Sequence, residues 1–191
     1  MNNNDFGLRW EAVVSREREK AEAAGVPEIA DDLMLVTAPR EILDDRSFPS
    51  IAARFLVDVG LPESCAPFLG FSHVSRGPRS LVAHYGAHQF RSADATRLAQ
   101  FYVIGSDGAG NPLCVDVTRD GEVVMLDHED CFRTRTFVAS SVMALAEALL
   151  LVQTTAPAEF TDRLRSIDPR AAEDGAFLPA EVGMLDEDDD A

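Results

Sequence analysis

The segment LCVDVTRDGEVVML, residues 113–126, constrains the fold of this chain more than any other stretch. Two apolar, alternating runs lie on either side of Asp120 and Gly121. An Asp-Gly pair fits a two-residue hairpin turn, because glycine adopts at little cost the positive φ that such a turn requires. The sequence therefore predicts two neighbouring antiparallel strands joined by a two-residue turn, with an antiparallel sheet around them.

Other strand-like runs precede this hairpin, and helical patterns lie on both sides of the region. The runs begin after residue 65, are separated by clusters of glycine, proline, aspartate and serine, and read PFLGF, SLVAHY and AQFYVIG. Upstream, Asp5 can cap a helix that begins near Phe6. Downstream, Ser140 or Ser141 can cap a long apolar helix, and Pro157 can open another. This order of elements predicts an α+β fold.

One upstream helix has well-marked ends and a single apolar face. Ser47 precedes it, Pro49 lies in its first turn, and Gly60 and Pro62 follow its end. The apolar side chains at helical spacing are Ile51, Phe55, Leu56 and Val59. We expect this face to pack against another part of the protein.

The run YVIGSDGAGNPLCVDV, residues 102–117, has three glycines within six residues and is open to three interpretations. A dinucleotide-binding loop needs a helix after its glycines and a Walker A loop needs a terminal Gly-Lys, whereas here Asn-Pro and a strand follow. Asp107 and Asn111 lack the alternating oxygen ligands of a calcium loop. The pattern therefore favours a turn between strands 101–104 and 113–117, with glycines in left-handed backbone conformations.

The net charge of the chain narrows the classes of partner that the protein can bind. The chain has a formal net charge of −16, and residues 186–190 supply five of the negative charges. Such a chain would be repelled by nucleic acid, whose binding depends on lysine and arginine, so we expect no nucleic-acid binding and favour a basic partner. The alternative is that the acidity serves only solubility.

The sequence predicts neither a membrane span nor secretion. No apolar run approaches the ~20 residues that cross a bilayer. The first ten residues, MNNNDFGLRW, lack the basic and apolar segments of a signal peptide. We therefore expect a cytoplasmic protein that does not bind membranes.

Motifs for catalysis or metal binding are weak. The three cysteines lack CxxC spacing and are expected to be reduced, with Cys65 and Cys114 buried. His84 and His88 have the i, i+4 spacing of a zinc pair, but His84 lies in a predicted strand. The segment DHEDC, residues 127–131, is interpreted as an exposed acidic loop, and no GxSxG motif is present. We expect no enzyme and no cofactor.

Several of these motifs, in this order, resemble the SUKH superfamily of bacterial immunity proteins, and most closely its fourth subgroup. The resemblance covers residues 47–152. Its most specific parts are Gly60-Leu61-Pro62, the run IGSDGAGNP at residues 104–112, and FVASS at residues 137–141, which opens the long helix.

The resemblance implies an α+β domain in which a bent antiparallel sheet of about five to six strands packs with N- and C-terminal helices. We expect this domain to span residues 1–180, followed by an acidic, mobile tail at residues 181–191. The implied function is that of an antitoxin, which neutralises a cognate polymorphic toxin by direct stoichiometric binding. The toxin would be a nuclease or a nucleic-acid deaminase, and no catalysis by the immunity protein is implied.

The candidate partner-binding residues are polar side chains expected in loops at the ends of strands. They are Asp107, Asn111, Asp127, Glu129 and Asp130. An acidic inhibitor can occupy the phosphate-binding surface of a basic nuclease, and complementary charge raises the encounter rate. Two alternatives stay open: a general protein-interaction or regulatory module of the same fold, and a small metal-dependent hydrolase that uses His128, Glu129 or Asp130.

Overall fold

A computed structural model describes residues 3–45, 47–65 and 68–188. Within these residues, the helices are α1 Asn3–Ala24, α2 Ser50–Asp58, α3 Leu81–Tyr85, α4 Ser92–Leu98, α5 Val142–Thr154, α6 Pro157–Ile167 and α7 Phe177–Asp188. Short 3-10 helices span Pro27–Leu33, Arg40–Asp44, Ser72–Arg76 and Ala87–Gln89. The strands are β1 Leu35–Val36, β2 Leu61–Pro62, β3 Ser64–Cys65, β4 Leu69–Gly70, β5 Arg79–Ser80, β6 Phe101–Ser106, β7 Pro112–Asp116, β8 Glu122–Leu126 and β9 Arg135–Ala139.

Seven of the described strands form one antiparallel sheet. The strand order is β3-β4-β6-β7-β8-β9, and β5 pairs with β6 beside β4. The remaining two strands, β1 and β2, form a separate small pair. The structure confirms the predicted α+β class, and the sheet roughly matches the five to six strands expected. The difference arises from β3, β4 and β5, whose two residues each are too short to show an alternating pattern.

The hairpin predicted from residues 113–126 is present, but its turn is longer than predicted. The last strand pair is Asp116 with Glu122, which leaves five residues between the strands. Asp120 and Gly121 both have positive φ, 55° and 82°, as their sequence indicates. Within this connection, the backbone N–H of Glu122 donates to the carbonyl of Arg119 at 3.1 Å and closes the predicted two-residue turn at Asp120 and Gly121. The backbone N–H of Gly121 also donates to the carbonyl of Asp116 at 3.1 Å, at the end of the strand pairing.

The predicted strand SLVAHY, residues 80–85, is wrong beyond its first residue. The chain pairs with β6 only at Arg79 and Ser80, and α3 begins at Leu81. The hydroxyl of Ser80 accepts the backbone N–H of Ala83 at 3.3 Å, which is a helix N-cap. Leu81 is fully buried in this helical position, so tertiary packing supports the helix over the strand.

Both faces of the sheet are covered. Successive residues of β6 alternate, so Tyr102 and Ile104 pack in the larger core while Phe101 and Val103 pack in the smaller one. Helices α1, α2, α5, α6 and α7 contribute to the larger core, and α3, α4 and Phe132 cover the opposite face. The central strand β7 is buried along its whole length.

Helices α5 and α6 begin as predicted, whereas the predicted starts of α1 and α2 are wrong by a few residues. Asp5 lies inside α1, which begins at Asn3, and Pro49 precedes α2 instead of lying in its first turn. The hydroxyl of Ser141 accepts the backbone N–H of Ala144 at 3.1 Å and caps α5. In α6, Phe160 and Leu164 point inward as expected. In α2, Phe55, Leu56 and Val59 are buried, but Ile51 is 66% exposed because Ala52 and Ala53 occupy the inner face of the first turn.

Helix α7 was not predicted. Its inner residues Phe177, Leu178 and Val182 are buried, and it packs on α6 and β9. The helix crosses residue 180, the predicted domain boundary, and continues to Asp188. The separation of a mobile tail at residues 181–191 stays a prediction, and residues 189–191 lie outside the described part of the chain. None of the described helices is long and apolar enough to span a bilayer.

Gly105 allows two strands to approach closely. A Cβ at this position would lie 2.4 Å from the carbonyl oxygen of Gly70 in β4 and 2.8 Å from Cδ1 of Phe71. The register between β6 and β7 shifts between Val103 and Gly105 at the same point. A side chain here would push β4 away from the sheet and displace the fully buried ring of Phe71.

We therefore expect Gly105→Ala to lower the free energy of unfolding by about 1–3 kcal/mol, the usual cost of overpacking a tight core. Urea unfolding followed by circular dichroism measures this change. Gly7→Ala is the matched control, because a Cβ at Gly7 in α1 has no neighbour within 4 Å. That control should be neutral or stabilising, by up to about 1 kcal/mol. Equal stability of the two variants would contradict the close approach.

Charged side chains join β7, β8 and β9 to the segment after α6. Arg135 of β9 contacts the carboxylates of Glu122 and Asp116, the latter at 3.3 Å, and Asp116 is 1% exposed. Arg170 also pairs with Glu122 and lies 3.8 Å from the ring centroid of Phe137. Burial acts to raise the pKa of Glu122, but hydrogen bonds from Arg170 and Arg135, together with their charges, outweigh it and lower the pKa below its ordinary value.

A lowered pKa in the folded state means that ionised Glu122 stabilises the fold above its ordinary pKa, and that this stabilisation is lost as the pH falls through the folded value. At pH 7, Glu122→Gln should lower the free energy of unfolding by about 1–3 kcal/mol. The difference from wild type should shrink between pH 5 and pH 3, as measured by urea unfolding at each pH. Glu11→Gln, on the exposed face of α1, is the control and should have little effect at any pH. A pH-independent loss in Glu122→Gln would contradict this account.

Candidate partner-binding surface

The five candidate residues lie on two neighbouring loops at one end of the sheet. Asp107 and Asn111 are in the loop between β6 and β7, and Asp127, Glu129 and Asp130 are in the loop between β8 and β9. Strands β6 to β9 form an antiparallel meander, so the first and third connections lie at the same end. The structure therefore brings together residues that are up to 23 positions apart in the sequence.

Asp107 organises the first loop. One of its carboxylate oxygens accepts the backbone N–H groups of Ala109 at 3.0 Å and Asn111 at 2.7 Å. The other oxygen accepts the side-chain amide of Asn111 at 2.8 Å. Of the three glycines in the run at residues 102–117, Gly105 lies in β6, Gly108 and Gly110 lie in the loop, and only Gly110 has a positive φ, at 89°. The loop is a turn, as predicted, and two of its backbone N–H groups are used by Asp107 rather than presented to a phosphate.

Asn111 connects this loop to the second one. Its side-chain oxygen accepts the backbone N–H of His128 at 3.1 Å and lies 2.8 Å from Nδ1 of the same residue. Asn111 therefore bonds to Asp107 on one side and to His128 on the other. This side chain therefore links the two loops directly.

The second loop has its own internal supports. Asp127 accepts the backbone N–H of Glu129 at 2.8 Å, and Asp130 accepts those of Arg133 and Thr134, both at 2.8 Å. The loop also requires positive φ at two residues that are not glycine, Cys131 at 62° and Phe132 at 60°. Such conformations need support from the surrounding structure.

Helix α4 and the smaller core supply that support. Arg97 donates to the carbonyl of Phe132 at 2.7 Å and to that of Cys131 at 3.3 Å. The ring of Phe132 is buried, with centroids 5.2 Å from Tyr85 and 6.0 Å from Phe90. The buried ring of Phe132 thus anchors the loop between β8 and β9 to the smaller core.

The end of the sheet carries several carboxylates, and each has a different environment. Hydrogen bonds from the Thr134 side chain and from the Arg133 and Thr134 backbone lower the pKa of Asp130 below its ordinary value. Glu181 of α7 adds a carboxylate that the sequence did not predict here, and burial together with the charge of Asp107 raises its pKa. Glu129 is exposed, and no described residue donates a hydrogen bond to its carboxylate.

The histidines and cysteines that were considered for metal binding or catalysis make other contacts in the structure. His84 lies in α3, not in a strand, and its ring packs edge-on against His73, with a centroid distance of 4.8 Å. Cys65 and Cys114 are buried, and burial raises the pKa of both thiols, which opposes a nucleophilic role. Cys131 is exposed and free. Within residues 3–45, 47–65 and 68–188, no three histidine, cysteine, aspartate or glutamate side chains are grouped as metal ligands would be.

A comparison with protein-family models identifies a match to the SUKH-4 immunity protein family over residues 17–178. The match extends beyond the expected 47–152, since it includes the last eight residues of α1, all of α6 and the first two residues of α7. Searches of curated proteins and of solved structures found no match. Because the family model covers most of the chain, the protein belongs to the SUKH-4 immunity protein family.

Proposed function

We propose that this protein protects its host cell by binding a cognate polymorphic toxin directly and stoichiometrically in the cytoplasm. Membership of an immunity protein family supports a toxin as the partner. The toxin would be a nuclease or a nucleic-acid deaminase with a basic surface. The formal net charge of −16 supports a basic partner, because complementary charge accelerates encounter and selects among partners.

The binding surface in this proposal is the acidic loop pair, defined as residues 107–111 and 127–134. The observation that carries the choice is the link through Asn111, whose side-chain oxygen is 2.8 Å from Nδ1 of His128. Loops that are already ordered lose little conformational entropy on binding, so more of the interaction energy appears as affinity. Glu129 and the exposed part of Asp130 would then meet basic side chains of the toxin without rearrangement.

The first experiment tests neutralisation itself. The protein is mixed with the purified toxin encoded by the neighbouring gene, at ratios from 0.1 to about 3, and residual toxin activity is measured. We expect activity to fall linearly to zero near a 1:1 ratio, as tight stoichiometric binding requires. Unchanged activity at all ratios, with no complex in size-exclusion chromatography, would reject the proposal for that pair.

The second experiment tests the loop pair. Glu129→Lys should weaken toxin binding at least tenfold, about 1.4 kcal/mol, because it places a positive charge opposite a basic surface. Glu19→Lys, which makes the same charge change on the exposed side of α1, is the control and should weaken binding much less. Binding is measured by calorimetry at two salt concentrations. Equal weakening by both variants would assign the effect to net charge and reject the loop pair as the interface.

The third experiment separates loop order from loop charge. Asn111→Ala removes the bonds to Asp107 and His128 without changing a charge. We expect faster amide hydrogen exchange in residues 107–111 and 127–134, with a loss of about 1–2 kcal/mol in stability. If the loop pair is the interface, the association with toxin should weaken as well. Unchanged exchange in the second loop would show that Asn111 does not couple the two loops.

A further inference from the structure

The acidic residues of this chain are absent from one long segment. Residues 64–93 contain no aspartate or glutamate, although the chain has 33 of them. The same segment contains three arginines and three of the four histidines. This strongly acidic protein therefore has one region with basic side chains and no acidic ones. In the fold, several of these basic side chains line a single depression.

That depression, which we call the basic pocket, has a volume of about 150 Å³. Its lining residues are His73, Arg76, Gly77, Arg79, His84 and Val103. They come from the 3-10 helix Ser72–Arg76, strand β5, helix α3 and strand β6. Gly77, with a φ of 79°, ends the 3-10 helix between the two arginines, and both Arg76 and Arg79 border the same space.

The two histidines form one wall of the basic pocket. Their rings meet edge to face, with centroids 4.8 Å apart and an interplanar angle of 87°. Partial burial lowers the pKa of His73, and Arg76 lowers it further. Burial also lowers the pKa of His84, with added contributions from His73, Arg79 and Arg76. Near neutral pH both rings are therefore mostly uncharged and can donate N–H hydrogen bonds.

The positive charge in the basic pocket is not balanced within the described structure. The ionisable groups that face it are His73, Arg76, Arg79 and His84, and no described carboxylate lines it. Neither arginine has an ion pair with any residue among those described. Each charge raises the electrostatic cost of protonating the rings, and a bound anion would remove that cost.

The chemistry of the lining favours an anion over a cation. Two histidines could supply two ligands of a metal site, but the positive charges of the two guanidinium groups beside them would repel a divalent cation. Guanidinium and imidazole N–H groups match the oxygens of a phosphate or sulfate group, and arginine binds such groups with two parallel hydrogen bonds. Two permanent charges and two protonatable rings suit a dianion better than a carboxylate.

We propose that the basic pocket is a binding site for a phosphate- or sulfate-type dianion. Arg76 and Arg79 supply the charge, and His73 and His84 donate hydrogen bonds from one wall. The site is separate from the acidic loop pair and does not depend on the proposed toxin binding. Free phosphate and a phosphate monoester both present the dianionic oxygens that these residues would bind.

The first test is a titration of the histidine ring protons by NMR. Sodium sulfate is the probe, because sulfate stays a dianion between pH 6 and 7.5, and sodium chloride of equal ionic strength is the control. We expect saturable shifts of His73 and His84 with sulfate and none of His128. Bound dianion favours protonated rings, so sulfate should bind at least about threefold more tightly at pH 6 than at pH 7.5. Identical shifts with chloride would overturn the proposal.

The second test uses variants and other anions. The double variant Arg76→Gln, Arg79→Gln should weaken sulfate binding at least tenfold, while Arg91→Gln, in the same acid-free segment but outside the lining, should not. Circular dichroism confirms that the variants fold. Inorganic phosphate and glycerol 3-phosphate distinguish a free ion from a monoester by which of them binds more tightly. Unchanged sulfate binding by the double variant, or equally tight binding of acetate, would overturn the assignment.

Discussion

Burial of the whole of β7 on both faces is the constraint on which the rest of the structure depends. A strand with no solvated side needs an apolar layer above and below it. The larger core, with α5 against the sheet and α1 and α2 beyond it, supplies one layer. The smaller core with Leu81, Leu98 and Phe132 supplies the other. Only the ends of the strands are then left for polar loops, and both the acidic loop pair and the five-residue hairpin turn lie there.

Charged side chains join the elements of the larger core to one another at defined points. Arg9 of α1 pairs with Glu147 of α5, which is 9% exposed, so the first and fifth helices are joined by an ion pair. Asp168 is 3% exposed and accepts the backbone N–H of Ser140 at 2.6 Å, just before α5 begins. These contacts add little net stability on their own, because burial of charge is costly, but they penalise other arrangements of the helices.

The parts of the fold that follow from local chemistry could be predicted from the sequence, and the parts that follow from distant contacts could not. The hairpin and the capped helix α5 depend on Asp120, Gly121 and Ser141, all close to the elements they define. The residues of SLVAHY form a helix because Leu81 is needed in the smaller core, which no local pattern reveals. At the candidate site, local turn signals correctly predicted both loops. The bond between Asn111 and His128, 17 residues apart, could only be found in three dimensions.

The position of α1 has a consequence for where the family domain begins. The family match begins at residue 17, within the last third of this helix, yet Phe6 and Trp10 from its first half are completely buried. Phe6 lies 5.6 Å from Phe55 between ring centroids, and the indole of Trp10 donates to the carbonyl of Leu33 at 2.7 Å. A chain trimmed to the matched residues would lose two aromatic side chains from its hydrophobic centre. The unit that is recognised by similarity is therefore smaller than the unit that folds.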